Sequence, residues 1–124
     1  MFELIINNVV YQFHFGMGFM REINKKVGTP VDGLPDVKKN IGLQYYIAGI
    51  IDNDLEALVT VLEVANKNQK PRITPAVLDS YIDDPDTDVD ELFESVLGFL
   101  KNANATRKTV ANLMNLVEQQ TNQK

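Results

Sequence analysis

The first fifteen residues alternate between apolar and polar positions with a period of two. Apolar side chains occupy every second position in residues 2–6 and again in residues 9–15, and many of them are aromatic or β-branched. This pattern predicts two β-strands. Asn7 and Asn8 lie between them, and asparagine tolerates the positive φ of a type I′ turn. The sequence therefore predicts an antiparallel hairpin whose apolar face must be covered by the rest of the protein.

Beyond the hairpin, the apolar positions change to helical spacing. This spacing predicts helices over about residues 19–27, 41–51, 54–66, 75–82, 89–101 and 107–118. Residues 28–36 are rich in glycine and proline and are predicted to form a surface loop. Three pairs have the spacing or composition of a helix start: Asn53 with Glu56, Thr74 with Pro75, and Asp88 with Glu91.

The segment Ile41–Ile51 is almost entirely apolar, which leaves little room for a solvent-facing side. We expect it to be the most buried helix of the protein, although periodicity alone does not distinguish it from a buried strand. Gly42 and Gly49 are seven residues apart and lie on similar sides of such a helix. They would allow a neighbouring element to approach closely.

These elements predict a mostly helical α+β fold in which an N-terminal β-hairpin packs on about five or six helices. The chain has 124 residues and 44% apolar residues, which suits one domain. We place that domain at residues 1–118. Residues 119–124 form a polar tail without an apolar residue, and this tail is expected to fray.

Composition excludes several classes of chemistry. The chain has no cysteine and one histidine, which removes disulfides, thiolate metal sites and zinc sites built from several imidazoles. A net charge of −5 argues against a basic nucleic-acid-binding face. No stretch approaches the length of a membrane span, and the start of the chain lacks the basic residues of a secretory signal. We therefore expect a cytosolic, soluble protein.

The negative charge is concentrated in Asp79–Glu94, which we call the acidic segment. Residues 73–94 contain 8 acidic residues and no basic residue. Four aspartates, at positions 84, 86, 88 and 90, alternate as in a calcium-binding loop. Counted from Asp84, however, the sixth residue is Val89 instead of glycine and the twelfth is Ser95 instead of glutamate. We interpret the carboxylates as solvated charges and helix-start residues, which interact favourably with the helix dipole.

Two further carboxylates and the histidine are weak candidates for catalysis. Asp52 and Asp54 form a close pair, but both are predicted to stand where a helix begins, so capping is the favoured interpretation. His14 lies on the strand face opposite Phe13 and Phe15 and is expected to be exposed or hydrogen-bonded.

Two other patterns lack an essential part of the motif that they resemble. Gly16-Met17-Gly18 follows a strand, but Arg21 stands where a dinucleotide fingerprint requires a third glycine. The basic loop of Lys67, Lys70 and Arg72 has no interleaved aromatic residue for stacking on nucleic-acid bases. We therefore predict no catalytic residue, no cofactor, no metal site, and neither nucleic-acid nor membrane binding.

Several segments in order, taken with the total length, resemble the tail assembly chaperones of long-tailed bacteriophages and prophages of Gram-positive bacteria. The resemblance is carried by residues 13–16 running into 19–24, by 42–45 and 48–52, by 78–83, and by 99–106. It spans nearly the whole chain. No single segment has a chemical signature of its own.

The resemblance implies a non-enzymatic role. Such a chaperone would bind the tape measure protein in the host cytoplasm and keep it soluble while tail tube subunits assemble around it. It would then leave before the virion is complete. The tail tube protein is a second implied partner, and self-association is left open, as is a longer product made by ribosomal frameshifting.

Two alternatives compete with this hypothesis. One is a generic protein-interaction module, such as an adaptor of a prophage or bacterium. The other is a small enzyme using Asp52 and Asp54, which would need a polar cleft converging on perturbed acids. A chaperone would need exposed apolar surface, for which the two C-terminal helices are candidates. Most of their larger apolar side chains are nevertheless expected to be core: Phe93, Leu100, Leu113 and Met114.

Overall fold

A computed structural model describes residues 1–122, which form two antiparallel hairpins and six helices. Their order is β1 Phe2–Ile6, β2 Val9–Phe13, α1 Met17–Asn24, β3 Gly28–Val31, β4 Leu34–Asn40, α2 Gly42–Ile51, α3 Leu55–Ala65, α4 Pro75–Asp83, α5 Val89–Asn102 and α6 Arg107–Asn122. The predicted α+β class, mostly helical with an N-terminal hairpin, is confirmed. None of the helices in this described range combines the length and apolar character needed to cross a membrane.

The N-terminal hairpin has the predicted turn. Asn7 and Asn8 both adopt positive φ, 54° and 65°, as a type I′ turn requires. Phe2 lies opposite Phe13 in the strand pairing, and both side chains are buried. The Phe2 ring also lies 5.1 Å from the ring of Phe99 on α5. The hairpin therefore buries one face against the C-terminal half of the protein.

The prediction of a surface loop at residues 28–36 is wrong. The chain forms a second hairpin, β3 with β4, which we call the arm (residues 28–40). Asp32 and Gly33 make its turn, with Gly33 at a φ of 79°. Pro30 is tolerated opposite Lys38, because each strand of a two-stranded sheet is an edge and needs hydrogen bonds on one side only.

The two strands of the arm pack mainly against each other. At the base of the arm, the backbone N–H of Ile41 donates to the carbonyl of Val27 at 2.8 Å. This bond joins the two ends of the arm, between α1 and α2. Helix α1 ends at Asn24 and does not reach residue 27 as predicted, because Lys25 and Lys26 form a turn before β3 begins at Gly28.

The core is centred on α3, not on α2. Six residues of α3 are buried: Ala57, Leu58, Val61, Leu62, Val64 and Ala65. In α2, Ile47 and Ile50 are buried as expected, but Tyr45 is 58% exposed. The expectation that residues 41–51 form the most buried helix is therefore wrong. Although α2 contacts α1, α3, α5 and α6, it keeps Gln44 and Tyr45 in solvent, whereas α3 is exposed only in its first turn.

Both glycines of α2 stand at close contacts between helices, as the sequence suggests. A Cβ added at Gly42 would collide with the carbonyl oxygen of Ile23, at the end of α1. A Cβ at Gly49 would lie 2.5 Å from the Cβ of Ala57 on α3. The Asn24 side chain also accepts a hydrogen bond from the N–H of Leu43 at 3.2 Å. The end of α1 thus caps the start of α2.

Two of the predicted helix starts are confirmed by hydrogen bonds. The hydroxyl of Thr74 accepts from the N–H of Val77 at 3.3 Å, with Pro75 in the first turn of α4. The carboxylate of Asp88 accepts from the N–H of Glu91 at 3.0 Å at the start of α5.

The cap predicted at Asn53 is wrong by one residue. Asp54 is the N-cap of α3, and its carboxylate accepts from the N–H of Glu56 at 3.0 Å. Asn53 instead adopts a φ of 60° in the turn between α2 and α3. Asp52 was expected at a helix start, but it is the C-terminal cap residue of α2.

The last helix continues beyond the predicted domain boundary. Helix α6 extends to Asn122, four residues into the segment 119–124 that is expected to fray, and residues 123 and 124 lie outside the described residues. At its start, the buried hydroxyl of Thr106 donates to the carbonyl of Leu100 at 2.6 Å. This bond joins the beginning of α6 to the end of α5.

Candidate interaction surface

A groove of about 480 Å³ lies between α3 and α4. Seven residues line it: Leu55, Glu56, Val59, Thr60, Asp79, Ile82 and Asp83. Its floor is apolar, formed by the exposed Leu55 and the half-buried Val59 and Ile82. The remaining lining residues include three carboxylates and no base, so the groove combines an apolar floor with an acidic rim.

The relative position of α3 and α4 depends on a buried asparagine that the sequence analysis did not single out. Asn66 follows α3 and is 0% exposed. Its amide nitrogen donates to the carbonyls of Gln12 at 2.9 Å and Pro71 at 3.2 Å. Its amide oxygen accepts from the N–H of Ile73 at 2.6 Å and from the Arg72 guanidinium at 3.1 Å. One side chain thus joins β2, the end of α3 and the segment leading into α4.

Further contacts hold the same region together. The backbone N–H of His14 donates to the carbonyl of Ala65 at 2.8 Å, beside the Asn66 contacts. Arg72 also donates to the carbonyl of Glu63 at 2.6 Å. This residue of the predicted basic loop therefore has a structural role. Lys67 forms an ion pair with Glu22 of α1 at 2.9 Å, and that hydrogen bond lowers the pKa of Glu22 below its usual value.

Two carboxylates of the acidic segment accept hydrogen bonds from nearby backbone N–H groups. Asp84 accepts from the N–H of Asp86 at 2.9 Å, and Asp88 caps α5. Among the residues that the structure describes, no group of three or more His, Cys, Asp or Glu is arranged to hold a metal ion. On the neighbouring helix, burial raises the pKa of Tyr81 above its ordinary value, and the Glu91 carboxylate adds to the rise.

Replacing Asp88 with alanine is expected to lower the free energy of unfolding by about 0.5–2 kcal/mol, because α5 loses its cap. The loss should be the same with and without calcium at about 1 mM, since the carboxylate serves the helix. Chemical denaturation in both conditions measures this. A wild-type protein stabilised by micromolar calcium would contradict the interpretation of this segment as caps and solvated charge.

The remaining candidate residues from the sequence stand at helix ends or just after a strand. Asp52 ends α2 and Asp54 begins α3, each at a helix terminus, while His14 is exposed just after β2. On the C-terminal helices, Phe93 and Leu100 are core, as expected. Leu113 and Met114 are half-buried. The most exposed leucine of α6 is Leu116, at 55%.

Comparison with known families decides the assignment of the chain. The family model described as "Phage tail assembly chaperone protein, TAC" matches residues 3–115. The chain belongs to the phage tail assembly chaperone family. The match covers both hairpins, α1 to α5 and the first half of α6, so it includes every residue of the groove and the Asn66 contacts. No curated protein and no solved structure matches the chain significantly.

In this tail assembly chaperone, the groove and Asn66 are the features that sequence reasoning missed. Val59 and Ile82 lie on predicted helical stripes, but no pattern indicates that the two stripes face one another across a gap. A signal for Asn66 existed: an asparagine directly after an apolar helix is a common C-terminal residue. Its four long-range and local hydrogen bonds depend on the fold and could not be predicted from that position alone.

Proposed function

We propose that this chaperone binds the tape measure protein of a long-tailed phage or prophage of Gram-positive bacteria and keeps it soluble during tail assembly. The observation that carries the proposal is the family match over residues 3–115. The resemblance of segments from residue 13 to residue 106 to chaperones of this kind supports the choice of client and host. Residues 1–118 would act as one domain.

The proposed mechanism is shielding. A long helical client exposes an apolar stripe, and the chaperone covers part of that stripe until tail tube subunits replace it. Release must remain possible, so each contact is weak and many chaperone copies along one client supply avidity. The acidic segment would steer basic stretches of the client or of tube subunits, so higher salt should slow association more than it speeds dissociation.

The role would require no catalysis, cofactor or metal. Asp52 and Asp54, the acids considered for an enzyme, occupy opposite helix ends, and the Asp54 carboxylate is used as a cap. The protein would act in the host cytoplasm and be absent from the finished virion. Western blotting of purified virions against lysate from the same infection would detect it in the lysate alone.

Co-expression with the tape measure protein encoded beside this gene tests the proposal directly. We expect the soluble yield of the tape measure protein to rise when this chain is present, and the two to elute together from a sizing column. The column also reports self-association of the chain alone. Equal solubility in both cases with no complex would reject the chaperone role and favour a generic interaction module.

A further inference from the structure

The groove between α3 and α4 presents apolar side chains that the described part of the chain leaves exposed or only partly buried. Leu55 stands at the start of α3 and is 46% exposed. Val59 lies one turn further on the same face, and Ile82 faces it from α4. Two helices that lie side by side with an apolar gap offer the surface on which a third helix packs.

The carboxylates at the groove are exposed and unpaired. Within residues 1–122, Glu56, Asp79 and Asp83 take part in no ion pair and no side-chain hydrogen bond. Asp79 and Asp83 are four residues apart on α4, where like charges repel. Asp83 is also the last residue of α4, where a negative charge opposes the helix dipole. The repulsion between the two aspartates and the unfavourable position of Asp83 both destabilise the fold. Binding of a cationic ligand would reduce both effects.

We propose that this groove is a docking site for an amphipathic helix whose apolar stripe is flanked by lysine or arginine. The argument is complementarity: the floor matches the stripe, and the three rim carboxylates match flanking cations. We take that helix to be part of the tape measure protein, and this step rests on the proposed function. The groove thereby selects basic amphipathic segments of the client.

The size of the groove sets the strength of a single contact. Its lining runs from Leu55 to Thr60 on α3 and from Asp79 to Asp83 on α4. Each stretch spans about 6–8 Å of helix, at 1.5 Å per residue. A groove of this length has room for one or two apolar side chains of a ligand. A single docked helix is therefore expected to bind weakly. Weak single contacts are what a chaperone that must later leave its client requires.

The test uses two synthetic helical peptides with leucine at positions i, i+3, i+4 and i+7. One carries lysine at the flanking positions and the other carries glutamate, so they differ in charge and share the apolar stripe. Fluorescence anisotropy measures binding of each to the full-length chain. We expect the lysine peptide to bind at least about tenfold more tightly, and to lose affinity as salt is raised.

Matched variants separate the groove from general charge and hydrophobicity. Asp79→Lys with Asp83→Lys is expected to weaken binding of the lysine peptide about tenfold. Asp36→Lys with Glu118→Lys makes the same change in net charge at exposed positions outside both the groove and the acidic segment, and should alter binding less than about twofold. Leu55→Ser should weaken binding severalfold, whereas Leu34→Ser removes an exposed leucine from the arm and should not. Circular dichroism melting confirms that each variant folds.

Three results obtained without the tape measure protein would overturn the proposal: equal binding of both peptides, equal effects of groove and control variants, or groove variants that change the sedimentation of the chain alone. The last result would mean that a second copy occupies the groove.

Co-expression of the tape measure protein with each variant distinguishes the two proposals. If groove variants solubilise it as well as the wild type, the groove assignment fails and the chaperone role stands. If the wild type itself gives no benefit, the chaperone role fails and the peptide measurements still decide the groove.

Discussion

Gly42→Ala is expected to lower the free energy of unfolding by about 3 kcal/mol, because the added methyl group would meet backbone that cannot rotate away. The Cβ would collide with the carbonyl oxygen of Ile23 and lie 2.9 Å from that of Asn24. Relief requires α2 to move away from the end of α1. That movement also lengthens the hydrogen bond from the N–H of Leu43 to the Asn24 side chain.

Thermal unfolding measures the effect, with an expected fall in melting temperature of about 10 °C. Gly98→Ala is the matched control. Gly98 lies inside α5, and a Cβ there would have nothing within 4 Å. Alanine at this position should stabilise the protein by about 0.5–1 kcal/mol, since it lowers the entropy of the unfolded chain. Similar melting temperatures for the two variants would contradict the close contact at Gly42.

Asn66→Asp should destabilise the protein by about 2–4 kcal/mol although the side chain keeps its size. An ionised carboxylate still accepts from the N–H of Ile73, but it cannot donate to the carbonyls of Gln12 and Pro71. Two carbonyl oxygens would then face a buried negative charge. The link between β2 and the segment before α4 would be lost.

Denaturant titration compares this variant with Asn115→Asp, which makes the same chemical change at an exposed position of α6. The control is expected to shift stability by less than about 0.5 kcal/mol. A loss at Asn66 no larger than that of the control would mean that the four hydrogen bonds contribute little. Binding of the lysine peptide by folded Asn66→Asp protein also reports whether the groove keeps its shape.

One of the two hairpins could be predicted from local sequence patterns and the other could not. The first was predictable because alternating apolar residues flank two asparagines, and both the period and the turn agree. The arm was missed because its glycines and prolines resemble a loop. Asp32-Gly33 is a strong hairpin signal, but the exposed, self-paired strands lack the alternating apolar face that burial against a core would impose.

Helix positions could be predicted better than helix surroundings. Thr74 and Asp88 act as caps because capping depends on residues within one turn. The relative burial of α2 and α3 was predicted wrongly because it depends on which sides of each helix the neighbouring elements cover. The groove was unpredictable for the same reason: Leu55 and Asp83 belong to separate helices, whose distance is set by the contacts of Asn66.

The base of the arm has a consequence for how such a protein can change. The chain leaves and re-enters the helical body at one place, because the N–H of Ile41 is bonded to the carbonyl of Val27. The geometry of the α1–α2 junction therefore does not depend on how far residues 28–40 extend. Insertions or deletions at the Asp32-Gly33 tip would alter the reach of the arm and leave that junction intact. We therefore expect relatives of this protein to differ in length at this tip and to keep glycine and asparagine at the positions of Gly42 and Asn66.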